Sequence, residues 1–294
     1  MEEEQDHNPT DNETYDHLMR FFGRHIVCLV VSFVYVKGKT TGQQKTFFYP
    51  GFIISFRGTW LIVTAGHSIQ ELDTALEQGV IHIEFCRLID CLSPTAPHTD
   101  KESANFPFDY EGSTRLGAYF DRNHVIGPLD GRDFGLIIIS DYDRKLLESN
   151  GISPLPESRW RPPDGTVLDG FVLVGIPEEL IESEQQGTDS LFQAENVCIP
   201  VKKLDQLPDD AEPSTHERFV GRLRDDLPIT SVEGMSGGPI IGIGDTPDEK
   251  CDYWVVAIQS TQLGRTIFGY PFDALAELIE RAVAEHDERR SAEN

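Results

Sequence analysis

Three short stretches combine residue types that do chemistry together. Ile62-Val63-Thr64-Ala65-Gly66-His67-Ser68 runs from an apolar strand into small residues and then a histidine. Gly131-Arg132-Asp133-Phe134-Gly135-Leu136 sets an acid at the mouth of a second apolar run. Glu233-Gly234-Met235-Ser236-Gly237-Gly238-Pro239-Ile240-Ile241 holds a serine in a glycine turn directly before a third. A serine hydroxyl is a weak nucleophile until a base takes its proton, and an imidazole suits that task near neutral pH. A buried carboxylate then fixes the imidazole tautomer and stabilises the imidazolium. Glycines on both sides of Ser236 leave its hydroxyl exposed and let the Gly234 and Ser236 amides converge on one point. A tetrahedral oxyanion needs two such donors. The expected chemistry is nucleophilic, with Ser236 attacking, His67 as base and Asp133 orienting it.

Short strands must carry these residues. His25–Val36, Phe47–Phe56, Trp60–Thr64 and Ile81–Leu88 are β-branched or aromatic and bounded by turn residues. Strand-like runs resume at Leu116–Phe120, Phe134–Ile139, Phe171–Val174, Leu191–Val201, Phe219–Leu223, Pro239–Ile243, Tyr253–Ser260 and Thr266–Tyr270. Thr14–Arg24 and Asp141–Ser149 read as short helices. Leu275, Leu278, Ile279 and Val283 make Phe272–Glu288 an amphipathic closing helix. Ser93–Ser113 reads as a polar insertion, Pro154–Asp164 as a Pro-rich crossing between halves, and Asp205–Pro213 as an acidic loop. About a dozen short strands with one closing helix predict an all-β barrel or sandwich rather than a βαβ sheet.

Composition narrows the function classes. The 294 residues carry 25 Lys and Arg against 50 Asp and Glu, a net charge of −25. Such a chain repels phosphate backbones and anionic membrane surfaces, so neither nucleic acid nor membrane is an expected partner. The longest apolar run, Ile26–Val36, is broken by Ser32, is far too short for a membrane span and reads as a buried strand. The acidic start, Met1-Glu2-Glu3-Glu4, has no signal-peptide pattern, and residues 1 to about 13 read as a disordered acidic tail. Five scattered cysteines suit free thiols in a reducing cytoplasm better than a disulfide framework. His82, Cys86 and Cys91 lie close together but lack a fourth ligand, so no metal or cofactor is expected.

The T-A-G-H, D-F-G-L and G-M-S-G-G-P blocks, in this order, resemble the signature blocks of trypsin-like (chymotrypsin-fold) serine proteases. The closest likeness is to disulfide-free intracellular and bacterial members, and it covers about residues 25–290. The resemblance implies two six-stranded antiparallel β-barrels with a C-terminal α-helix. The barrels would span about 25–150 and 165–271 and the helix 272–288, after a tail and short helix at 1–24. It implies a serine endopeptidase acting on a protein or peptide substrate through a His67–Asp133–Ser236 triad, with the Gly234 and Ser236 amides as oxyanion hole. Ala257-Ile258-Gln259-Ser260-Thr261 resembles the strand that pairs with substrate backbone, and Ser260 falls where the family has a serine near the catalytic acid. Thr230, Glu233, Gln259, Ser260 and Thr261 are therefore the candidate substrate-binding residues.

The sequence also departs from that pattern. Ser68 and Phe52 stand where secreted members have a disulfide. Met235 replaces the aspartate that pairs with a newly cut N-terminus, so activation by that route is not expected. Thr230 occupies the approximate place of trypsin's specificity acid, which points to a neutral, small-to-medium side chain before the cut. A regulatory protein partner is a further expectation. Two alternatives stand beside the peptidase. One is a latent or proteolytically silent binding module on the same fold. The other is a serine esterase, since Gly234–Gly238 also satisfies G-x-S-x-G. That hydrolase fold needs acid and histidine after the serine, and the only later histidine is His286 in the closing helix.

Overall fold

A computed structural model describes residues 18–90, 105–116, 133–186, 189–209, 211, 217–224, 227, 229, 231–247 and 251–293. The first eight strands are β1 (Ile26–Tyr35), β2 (Gln44–Phe56), β3 (Thr59–Thr64), β4 (Ile81–Asp90), β5 (Asn105–Pro107), β6 (Arg115–Leu116), β7 (Gly135–Ile138) and β8 (Leu155–Pro156). They form one sheet in the order β5-β4-β1-β2-β3-β7-β6, with β8 added parallel to β2. The next eight are β9 (Val167–Gly175), β10 (Ile181–Gln186), β11 (Asp189–Ala194), β12 (Val197–Lys203), β13 (Phe219–Leu223), β14 (Pro239–Asp245), β15 (Asp252–Leu263) and β16 (Thr266–Pro271). Six of these close an antiparallel barrel in the order β12-β13-β16-β15-β14-β9, while β10 and β11 make a separate hairpin. The helices are α1 (residues 18–23), α2 (Gly66–Glu77), α3 (Asp141–Ser149) and α4 (Phe272–Glu293).

The protein is thus mostly β, with one closed six-stranded barrel and a C-terminal helix. The expected second closed barrel is not found. The first sheet ends on β5 and β6, which do not pair with each other among the described residues. These edges are three and two residues long, and β5 ends on Pro107, which has no N–H to give a ladder. The strand expected at Leu116–Phe120 and the helix expected from Thr14 fall partly outside the described residues. The acidic tail lies wholly outside them.

Burial explains the long apolar run at β1. Val27, Leu29, Val31 and Phe33 enter the core of the first sheet, while Ile26, Cys28 and Val30 enter the core shared by the two halves. Period-two alternation with both faces covered leaves Ser32 as the one buried polar position of the strand. The shared core sets Phe52 and Phe134 of the first half beside Val174, Ile241 and Val255 of the second. Helix α4 lays Phe272, Leu275, Ile279 and Val283 into it, with the Phe272 ring 6.0 Å from Phe52 and 5.7 Å from Trp160. Trp160 belongs to the crossing segment and also stacks on Phe56 at 5.7 Å. At the N-terminal end Phe21 and Phe22 meet the Tyr253 ring edge-on at 5.1 and 5.4 Å. Among the described residues no helix is long and apolar enough to cross a membrane.

Candidate active site

Strand β3 delivers the histidine. Its last residue, Thr64, donates from Oγ1 to the Pro50 carbonyl at 2.7 Å, and α2 begins two residues later. His67 therefore stands in the first turn of a helix, a placement that the reading of a bare strand end did not include. Asp133 reaches it from the residue before Phe134, which leads into β7 and is fully buried. One carboxylate oxygen accepts the His67 backbone N–H at 2.8 Å, and the other lies 2.6 Å from His67 Nδ1. A carboxylate only accepts, so Nδ1 carries the proton and Nε2 is left with a free lone pair. The Asp133 side chain is 8% exposed, whereas the His67 side chain is 40% exposed and open to a reactant. The imidazole pKa is raised above its usual 6.5, first by the hydrogen bond to Asp133. Burial works against the rise, and the charges of Asp133 and Glu71 add to it.

Two close backbone approaches hold the segments together. A Cβ on Gly66 would lie 2.7 Å from the Phe134 carbonyl oxygen, so only glycine lets the start of α2 run this near the Asp133 segment. A Cβ on Gly237 would lie 2.4 Å from the Ala65 nitrogen, and its φ of +90° is strained for any side chain. Gly237 thereby seats the Ser236 turn against the strand end that carries His67. His67, Ser236, Gly234 and Glu233 line a single cleft of about 430 Å³.

The serine turn is pinned from several sides. Met235 is fully buried in the core of the closed barrel. The Gly237 N–H donates to the Gln259 carbonyl at 2.8 Å, and the Gln259 N–H donates to the Gly238 carbonyl at 2.9 Å. The Glu178 N–H donates to the Glu233 carbonyl at 2.9 Å. The peptides are trans, so the Gly234 N–H faces away from Glu178. Among the described residues neither the Gly234 N–H nor the Ser236 N–H has a partner. The Ser236 hydroxyl donates to the Ser260 carbonyl at 3.4 Å, and no hydrogen bond joins it to His67.

The structure thus brings together His67, Asp133, Ser236, Gly234 and Glu233. It holds Gln259 and Ser260 beside them on β15, and Thr261 sits at a bulge in the same strand. The Ser260 hydroxyl bonds the Phe268 carbonyl at 3.2 Å instead of Asp133, because β15 and β16 are paired there. Thr230 lies outside the described residues. Gln259 is 2% exposed, and its side-chain Oε1 is buried without a hydrogen-bond partner. Sequence reasoning missed the Glu178 anchor, Glu71 on the rim and an aromatic wall on β1 and β2.

Three of the described thiols are poorly placed as nucleophiles. Cys28, Cys86 and Cys198 are buried thiols, each pushed up to about 12 by burial, so little thiolate forms near neutral pH. Among the described residues no group of three His, Cys, Asp or Glu side chains is arranged to hold a metal ion. A comparison of the chain with protein-family models and with curated proteins finds no match.

Proposed function

We propose that the protein is a serine endopeptidase of the trypsin-like type, its first sheet standing in for the other barrel of that fold. The observation that carries the reading is the two-point grip of Asp133 on His67 in a cleft that Ser236 also lines. Rotation of the Ser236 hydroxyl about its Cα–Cβ bond turns it from Ser260 toward His67. Oγ attacks the substrate carbonyl and its proton passes to His67 Nε2. The Gly234 and Ser236 amides receive the oxyanion. The C–N bond breaks, the amine leaves with the proton from His67, and water hydrolyses the acyl-enzyme by the reverse relay. No cofactor enters the cycle. The substrate is a protein or peptide; neither nucleic acid nor membrane is needed. Free buried thiols suit a cytoplasmic setting, and control by a protein partner suits a peptidase there.

A second reading, a latent or silent binding module, is favoured by the Ser236 hydroxyl facing Ser260 rather than His67. Labelling with a fluorophosphonate probe decides between them. The peptidase takes one label at Ser236, and Ser236→Ala and His67→Ala take none. Equal labelling of wild type and Ser236→Ala, or none in wild type, rejects it.

A further inference from the structure

The half of the cleft beneath β1 and β2 has a chemistry of its own. Phe33 and Tyr35 on β1 and Phe47 and Tyr49 on β2 form one wall. The Phe33 and Phe47 rings stack at 5.5 Å and 5°, and Phe47 stacks on Tyr49 at 6.2 Å and 9°. Leu72 of α2 and Ile81 at the start of β4 close the opposite side. Phe47 remains 39% exposed, which is unusual for a ring already stacked on two others. Glu71, one turn after His67, and Glu233 stand at the rim, and both are exposed.

The position of this groove assigns it to one half of a bound peptide. It includes His67, Gly234 and Ser236 but no residue of β15. It is therefore a part of the cleft separate from the Gln259–Thr261 strand. A peptide crossing the hydroxyl has one half along β15 and the other in the groove. His67 must hand its proton to the departing amine, and the groove wall is the helix that carries His67. The departing half lies there.

We propose that this groove selects a bulky apolar residue, best an aromatic one, immediately after the cleaved bond, and that Glu71 and Glu233 reject acidic residues there. An aromatic side chain buries a large area and gains further from ring-edge contacts with such a wall. A carboxylate would meet two carboxylates of like charge across the rim. This selectivity rests on the peptidase reading above and adds to it the substrate class on the amine side.

The test separates the two. Binding of Phe-Phe amide, Gly-Gly amide and Asp-Asp amide to full-length Ser236→Ala is followed by ligand-observed NMR titration, which needs no turnover. Phe-Phe amide is expected to bind at least tenfold tighter than Gly-Gly amide, and Asp-Asp amide weakest. Phe47→Ser and Tyr49→Ser, added singly, should abolish the preference, while Phe47→Leu and Tyr49→Phe, which keep the wall apolar, retain most of it. In wild type, Phe-Phe amide should also capture the acyl group of an acetyl-alanine ester more efficiently than Gly-Gly amide. Equal binding of the three amides by a protein that labels at Ser236 overturns the selectivity and leaves the peptidase standing. Aromatic binding without any labelling at Ser236 removes the peptidase and, with it, the assignment of the groove to a departing amine.

Discussion

The backbone N–H of Glu178 donates a 2.9 Å hydrogen bond to the carbonyl of Glu233, and this one contact sets the direction of the Gly234 amide. The turn relies on the burial of Met235 and on the Glu178 strut. Glu178 follows Pro177, whose ψ of 144° tolerates a proline after it, and it opens a single 3₁₀ turn. Glu178→Pro therefore deletes this donor and sets a ring carbon where its proton was, so the Glu233 carbonyl must turn away and the Gly234 amide loses its direction. The expected result is a fall in kcat of about 10²- to 10³-fold with KM nearly constant, the range set by the loss of one oxyanion donor. Steady-state kinetics on a peptide substrate, with a thermal melt as control, checks it.

Asp133 grips both the backbone N–H and Nδ1 of His67. Asp133→Asn keeps the shape but offers Nδ1 an amide in place of a carboxylate, which favours the tautomer with the proton on Nε2. A loss of about 10³- to 10⁴-fold in kcat/KM is expected. The pH profile adds a second readout. His67 must be neutral to act as base, and its pKa is raised, chiefly by Asp133. The acid limb of wild-type kcat/KM should therefore lie above pH 6.5 and move down in Asp133→Asn.

Much of this site was legible in the sequence because each functional side chain sits next to a strand signal. Ile62 and Val63 announce β3, Leu136 and Ile137 announce β7, and Ile240 and Ile241 announce β14. The closing helix and α3 were legible from their apolar spacing. Helix α2 was missed although Ile69 and Leu72 sit three apart and face the core; the small residues before His67 read as a turn. Glu178 acts through its backbone N–H, and a main-chain donor has no residue type to betray it. The partner of the Ser260 hydroxyl depends on the pairing of β15 with β16, which no local pattern encodes. Closure of the first sheet depends on edge strands too short to leave an apolar pattern.

Gln259 keeps a buried, unpartnered Oε1. Leaving such an acceptor unmade costs about 1–3 kcal/mol, and methionine has similar length with no amide to satisfy. Gln259→Met is expected to raise the unfolding free energy by about 1–2 kcal/mol, read as a higher urea midpoint at unchanged slope. A lower midpoint would mean that the amide is satisfied by bound water or by another group.

His25 gives the fold a dependence on acid that is independent of the catalytic residues. It is 3% exposed, its Nδ1–H donates to the Ser153 carbonyl at 2.6 Å, and its Nε2 accepts from Arg24 Nε at 3.2 Å. Burial lowers its pKa to about 4, the Ser153 carbonyl works against that, and the Arg24 charge adds to it. The unfolded chain binds this proton near pH 6.5, well before the folded protein does. Acid therefore favours unfolding between these values. The contribution is fully present above pH 6.5, is lost as pH falls toward 4, and changes no further below that. The loss amounts to about 3 kcal/mol over the window. His25→Asn keeps a donor for Ser153 but does not titrate, so its urea midpoint should fall less steeply than that of wild type from pH 6.5 to 4. Parallel profiles for the two proteins would show that His25 takes up its proton without resistance from the fold.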